Sequence, residues 1–419
     1  MDDRICIEGG RRLKGSVRIQ GSKNAALPMM AASLLHKGTS VLKGCPKIAD
    51  VFCMEEIMQN LGAVTWWQGH DLYMDCTRAD GYEIPREYTG KMRSSVILLG
   101  AVLARNKKGS VGYPGGCVIG KRPVDLHLLV LRCLGGTVKE REDGIFASCR
   151  ELKGTTVCFP KRSVGATEQG ILGAVLAKGK TILENCACEP EIGWLCKYLC
   201  SMGAKIQGEG TSKIVIDGVK SLGPGCFFVP PDRIVAGTYI CAAAITRSEI
   251  TVLNPPKREL ETFLEVYRKM GGQYKGNSGK LLVNGKSVKK PVKVVETNVY
   301  PGFPTDLQSQ LMAVLATVQG KSSIVEHIFE ERYKVAGELN RMGADIRIRD
   351  QKAEISGGYE LRGCQVAAQE LRGGAALILA GLAAKGTTVM NGYSYVKRGY
   401  EHICQDLNDL GASVKRIQE

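Results

Sequence analysis

Cys117 stands in the run Pro114-Gly115-Gly116-Cys117-Val118-Ile119-Gly120, where Gly and Pro fill four of seven positions. That content excludes a helix interior or a central strand, so the run is expected to be a loop. Its glycines let the backbone approach a ligand closely. Lys121 and Arg122 follow, and neighbouring cations stabilise a thiolate. The chemistry such a loop offers is an activated thiol beside an anion site. Pro123 suits the first turn of a helix, with Val124, Leu128 and Leu131 on its apolar face. The competing reading is a surface turn that happens to hold a cysteine.

The elements that must position this loop repeat along the chain. A Leu/Met-Gly-Ala/Gly turn recurs at nearly equal intervals, at Gly62, Gly135, Gly203, Gly271, Gly343 and Gly411. Each closes an amphipathic helix, fits a left-handed helix C-cap and is followed by a β-rich segment. A second helix recurs with it and is apolar nearly all round, as in Asn24 to Leu35, Ser95 to Ala104, Leu307 to Ala316 and Gly373 to Ala384. A helix without a polar face must be buried on all sides. The reading is α/β: six units of about 70 residues, arranged as two domains of three, with helices inside and sheets outside. The boundary is expected near Phe228-Val229-Pro230-Pro231, giving 23–230 for one domain and 1–22 plus 231–419 for the other. The N-terminal segment is too short to be a unit and is expected to complete the last one.

Breaks in the repeat mark candidate functional residues. The amphipathic helix carries apolar residues at i, i+3, i+7 and i+10, but His127 takes i+3 in the second copy and Arg332 takes i in the fifth. A polar residue in such a stripe needs a partner or a task. His127 is either a satisfied core histidine or a ligand contact; Arg332, in a first turn, is expected to face an anion. Near the start of each apolar helix stands a polar residue: Lys23, Arg93, Ser163, Arg233, Asp306 and Arg372. Helix starts carry unpaired N–H groups and positive partial charge, which suit phosphates. For Arg233 and Arg372, capping and a solvated first-turn charge explain the pattern equally well.

Composition sets the outer limits. The 419 residues are 44% hydrophobic and 24% charged, with a formal net charge of +15. Length favours two domains, and dispersed Lys and Arg favour small polyanions over nucleic acid. Apolar runs are too short to span a bilayer, and the first residues lack a signal-peptide core, so a cytosolic protein is expected. Sixteen cysteines are then reduced thiols, and with no Cys-x-x-Cys pair among them no metal site is expected.

Gly21-Ser22-Lys23-Asn24-Ala25-Ala26-Leu27-Pro28, the loop from Cys117 to His127, Ser163-Val164-Gly165-Ala166-Thr167-Glu168 and Phe303-Pro304-Thr305-Asp306 resemble the UDP-N-acetylglucosamine 1-carboxyvinyltransferases. Phe329-Glu330-Glu331-Arg332 and Arg398-Gly399-Tyr400-Glu401 extend the resemblance over essentially the whole chain. It implies a bacterial enolpyruvyl transferase with two inside-out α/β domains and a cleft that closes on substrate. The implied reaction moves enolpyruvate from phosphoenolpyruvate to the 3'-hydroxyl of UDP-N-acetylglucosamine by addition and elimination, the first committed step toward peptidoglycan. No cofactor or metal is implied. By resemblance, Cys117 is the proton donor and Asp306 the base near the sugar hydroxyl. Lys23, Arg122, Arg332 and Arg398 are the cations for phosphate and carboxylate, and Arg372 joins the substrate contacts. Asn24, Arg93, Arg122, Pro123, Val124, Asp125, Leu126, Lys161, Ser163, Val164, Gly165 and Ile328 match contacts to the nucleotide sugar.

The chain departs from the family pattern at Glu331, Lys397, Glu370 and Val235. A carboxylate at Glu331 would be placed to sequester Arg332, and Lys397 would deprive Arg398 of a partner. Such changes would slow the enzyme or mark a divergent second copy. The rivals are the related shikimate-pathway enzyme, a weakly active paralogue that binds UDP-N-acetylglucosamine as a regulator, and an RNA-binding protein on a related repeat.

Overall fold

The computed structural model describes residues 3–113, 119–120 and 123–417. Six helices form its interior: α1 (Lys23–Ser33), α2 (Leu98–Asn106), α3 (Val164–Ala174), α4 (Arg233–Ile245), α5 (Gln308–Ala316) and α6 (Leu371–Ala383). Every residue of α4 is buried, as is every residue of α6 but its last, as their lack of a polar face requires. The amphipathic helices lie outside these, from Ala49–Asn60 in the first copy to Ile403–Asp409 in the sixth.

Two units divide the chain, and each has its own core. The first comprises residues 21–113 and 123–230 and encloses α1 to α3; the second comprises 3–20, 119–120 and 231–417 and encloses α4 to α6. Each unit carries three four-stranded sheets, in which one edge strand is parallel to its neighbour and the remaining pairs are antiparallel. Each is therefore an inside-out α/β domain of three repeats. The N-terminal strand Arg4–Glu8 lies between Thr387–Asn391 and Ser413–Ile417, completing the sixth sheet as the repeat requires. Two edge strands are exchanged. Ser16–Arg18 precedes α1 in the chain but joins the sheet of Glu249–Leu253, and Cys226–Phe228 precedes α4 but joins that of Thr39–Lys43.

All six turn glycines have φ between 90° and 101°. In each, the glycine N–H reaches back three residues and the next N–H five, as in Gly203 to Cys200 and Ala204 to Leu199, both 3.0 Å. This is the Schellman arrangement, which satisfies carbonyls that the helix end would orphan. A Cβ on Gly203 would meet nothing within 4 Å, so Gly203→Ala isolates the cost of the left-handed backbone. The variant is expected to lose about 1–2 kcal/mol in urea denaturation. An unchanged midpoint would contradict the cap assignment.

The fifth and sixth amphipathic helices start late, at Val335 and Ile403. Arg332, expected at the first stripe position of the fifth copy, stands in the turn before its helix, and Tyr400 stands three residues ahead of Ile403. In both cases the side chain is drawn instead to the start of an interior helix.

Candidate active site

In the second unit, three of the expected polar positions converge. Asp306 lies in the turn Thr305–Leu307 that leads into α5, and neither the turn nor the helix has a side-chain cap. Its carboxylate instead accepts from Arg332 Nη2 at 2.8 Å on Oδ1 and from Arg372 Nη2 at 3.1 Å on Oδ2. Both guanidiniums are nearly inaccessible, at 3% side-chain exposure, while Asp306 keeps 26%. Such charge-assisted contacts are strong where solvent is excluded.

Arg372 occupies the first turn of α6, but the cap is Glu370, which accepts the N–H groups of Arg372 and Gly373. Burial works against the charge of Arg372, yet Asp306 and then Tyr400 favour it, and the net effect holds the guanidinium above its ordinary value. Tyr400 Oη lies 3.5 Å from Arg372 Nη1 and 2.7 Å from Thr238 Oγ1. Arg233 opens α4, and its cap is likewise a carboxylate: Asp232 accepts from Ile234 at 2.8 Å and Val235 at 3.0 Å. Capping thus explains neither arginine. Val235, one of the departures from the family pattern, is buried.

The feared sequestration of Arg332 does not occur. Glu331 pairs with Lys334 at 2.8 Å and leaves Arg332 to Asp306. Lys397 pairs with Asp3. Arg398 is half-buried between two short helices, and its neighbours Gly399 and Glu401 are gripped by the Gln20 amide at 3.2 and 2.9 Å. Ile328 is half-buried. Near the start of α5, Arg332 Nε and the amide nitrogen of Gln308 are buried without a hydrogen-bond partner among the described residues. Buried donors normally have acceptors, so both nitrogens are left with unused hydrogen-bonding capacity.

In the first unit, Ser22 caps α1, and Lys23, its first residue, reaches the buried Asp50 carboxylate at 3.3 Å. Asn24 follows, half-buried. Arg93 opens a 3-10 turn before α2, and its guanidinium donates to the Pro123 carbonyl at 3.1 Å. Pro123 precedes the helix Asp125–Cys133 instead of lying in its first turn. A cavity of about 430 Å³ opens here, with Arg93, Tyr113, Pro123, Val124 and Asp125 in its lining.

His127 is 5% exposed and pairs through Nδ1 with Gln169 Oε1 at 3.3 Å. A Cβ on Gly165 would sit 2.7 Å from the His127 ring, so glycine is what admits that ring beside α3. Leu126 is buried. Ser163 caps α3 by accepting from the Ala166 N–H at 3.3 Å. Val164 opens that helix, and Lys161 is exposed. Cys117, Lys121 and Arg122 lie outside the described residues.

Sequence reasoning missed Asp50, Tyr113 and Gln169. Asp50 adjoins Val51 of the repeat stripe, and its distance from Lys23 along the chain hides the pair. Tyr113 directly precedes the glycine-rich run, a signal that was available.

Each unit thus encloses three apolar helices within three sheets and carries charged side chains near its helix starts. A family model for EPSP synthase (3-phosphoshikimate 1-carboxyvinyltransferase) matches residues 7–407, and the chain belongs to that family. Among curated relatives it is 44% identical to UDP-N-acetylglucosamine 1-carboxyvinyltransferase 2 of Caldanaerobacter subterraneus subsp. tengcongensis, covering 98% of this chain and 99% of the relative. It is 41% identical to UDP-N-acetylglucosamine 1-carboxyvinyltransferase of Desulfosudis oleivorans, covering 99% of each. Among solved structures, the enolpyruvyl transferase NikO from Streptomyces tendae superposes with a TM-score of 0.90 at 25% identity, covering 100% of this chain and 99% of that one.

Proposed function

We propose that this protein transfers the enolpyruvyl group of phosphoenolpyruvate to the 3'-hydroxyl of UDP-N-acetylglucosamine and releases phosphate. The relatives at 41–44% identity carry that acceptor in their names, which favours it over shikimate 3-phosphate. The observation that carries the site is the Arg332–Asp306–Arg372 cluster, in which Arg332 Nε has no hydrogen-bond partner among the described residues. An enzyme of this activity belongs in the cytoplasm of a growing, dividing bacterium, at the first committed step of peptidoglycan synthesis.

The reaction needs a proton delivered to the methylene carbon of phosphoenolpyruvate as the sugar oxygen bonds to C2. Elimination then returns a methyl proton and expels phosphate. Cys117 is assigned the proton delivery and Asp306 the removal of the hydroxyl proton. Lys23, Arg122, Arg332, Arg372 and Arg398 hold phosphate and carboxylate, and anionic charge is best stabilised by such preorganised cations. An anion that engages Arg332 and Arg372 competes with Asp306 for both, leaving a carboxylate oxygen to take the hydroxyl proton. Asn24, Arg93, Pro123 to Asp125, Leu126, Lys161, Ser163 to Gly165 and Ile328 are assigned to the nucleotide sugar. His127 is assigned to holding this region through Gln169 and Gly165.

The direct test is mass spectrometry of the nucleotide sugar after incubation with phosphoenolpyruvate. Gain of one enolpyruvyl group supports the reading, and an unaltered sugar overturns it. Arg398→Ala bears on the cation assignment. Charge-assisted hydrogen bonds are worth about 1.5–3 kcal/mol each. Losing them is expected to lower turnover on the order of 10²-fold, while calorimetry still detects nucleotide-sugar binding. Near-normal turnover would remove Arg398 from the site.

A further inference from the structure

Glu326 follows the strand Gly320–Val325 and is 1% exposed. Its Oε1 accepts the N–H of Ile328 at 2.8 Å and of Phe329 at 3.2 Å, and its Oε2 accepts the Thr305 hydroxyl at 2.9 Å. The backbone beneath it is pinned as well. The N–H of Glu326 donates to the Gln351 carbonyl at 2.8 Å, and that of His327 to Thr297 Oγ1 at 3.0 Å. Thr305 immediately precedes Asp306. Ile328 and Phe329 lead into Arg332, whose guanidinium carbon lies 5.5 Å from the centre of the Phe329 ring. One buried carboxylate therefore joins the two segments whose side chains meet as the Asp306–Arg332 pair. Burying a carboxylate is costly unless its oxygens are satisfied, and here both are taken by the segments that carry the site.

We infer that Glu326 is a positioning residue, acting through Thr305 and the Ile328–Phe329 turn to set the geometry of Asp306 against Arg332. The inference rests on the reading of Asp306 as the base for the acceptor hydroxyl. A base must stand within hydrogen-bond reach of its proton, and displacement on the order of 1 Å from a remote change can cost about 10²-fold in rate. Residues that lock a reacting group are as much part of its design as the group itself.

Thr305→Val is the cleanest test, because it is nearly isosteric and leaves the Ile328 and Phe329 hydrogen bonds in place. It is expected to lower kcat by roughly 10- to 100-fold with little change in KM for UDP-N-acetylglucosamine. Thr305→Ser restores the hydroxyl and should return turnover to near that of the unmodified protein. Glu326→Gln keeps a carbonyl for the two N–H groups and offers a donor to the Thr305 oxygen, so it should retain far more turnover than Glu326→Ala.

The measurements are steady-state kinetics on the full chain, with a melting curve for each variant. A Thr305→Val enzyme with ordinary kcat and only a lowered melting temperature would overturn the inference, as would a kcat loss that Thr305→Ser fails to restore. Failure of the underlying reading looks different. In that case the unmodified protein transfers no enolpyruvate, or Asp306→Asn is as active as the unmodified protein. An inactive Asp306→Asn beside an ordinary Thr305→Val would sink the positioning role alone.

Discussion

Asp306→Asn is expected to lose turnover by on the order of 10²- to 10⁴-fold, the range that a positioned acid or base contributes. Asparagine preserves shape and would serve about as well in a helix cap. In the structure the two oxygens of Asp306 accept from Arg332 and Arg372, and the residue at the N-cap of its turn is Pro304. Asparagine cannot accept a proton from the sugar hydroxyl at neutral pH, and it leaves two nearly buried guanidiniums without their shared carboxylate. Removing one partner of such a cluster also destabilises it, so a lowered melting temperature should accompany the loss. Turnover must therefore be measured well below both melting transitions. An Asp306→Asn enzyme with ordinary kcat would show that the carboxylate neither takes the proton nor is needed to order the arginines.

The second large effect concerns which thiol reacts. A small phosphonate epoxide carries an anionic group resembling the phosphate of phosphoenolpyruvate together with an electrophile, and Cys117, assigned the proton delivery beside Lys121 and Arg122, is its expected target. Burial pushes Cys76 and Cys186 up to about 12 and also raises Cys196 and Cys241, so these are poor nucleophiles at neutral pH. The thiols that could compete are the exposed Cys133, Cys158, Cys200 and Cys226. Burial also raises Cys200, despite its exposure. Brief treatment followed by peptide mass mapping should find Cys117 labelled ahead of these four. Cys117→Asp should abolish that label and retain turnover, because a carboxylic acid can also deliver a proton. Labelling spread across the exposed thiols, or unchanged in Cys117→Asp, would show that the loop is not the reacting centre.

The features legible in the sequence are those that local physics enforces. A left-handed backbone at a helix end selects glycine, so Gly62 to Gly411 gave away the six-fold repeat and its helix ends. Helices with no polar face had to be interior, and the leftover N-terminal strand had to complete the last sheet. The exchange of Ser16–Arg18 and Cys226–Phe228 between sheets was not legible. Such short edge strands carry too little pattern to name a partner in a distant part of the chain.

Within the site, Asp306 and Arg332 were legible as breaks in a regular pattern, but their mutual contact was not. Glu331 misled because chain adjacency suggested an ion pair with Arg332. In the turn the two side chains diverge, one to Lys334 and the other to Asp306. His127 stayed open because a stripe position fixes burial and not partners. Gln169 and the space left by Gly165 supply the partners only once α3 is packed beside it.

The central claim is that enolpyruvate moves to a nucleotide sugar. Phosphate release from phosphoenolpyruvate tests it most directly, measured first with UDP-N-acetylglucosamine and then with shikimate 3-phosphate as the acceptor. Release with UDP-N-acetylglucosamine alone is the predicted result. Release only with shikimate 3-phosphate would contradict it.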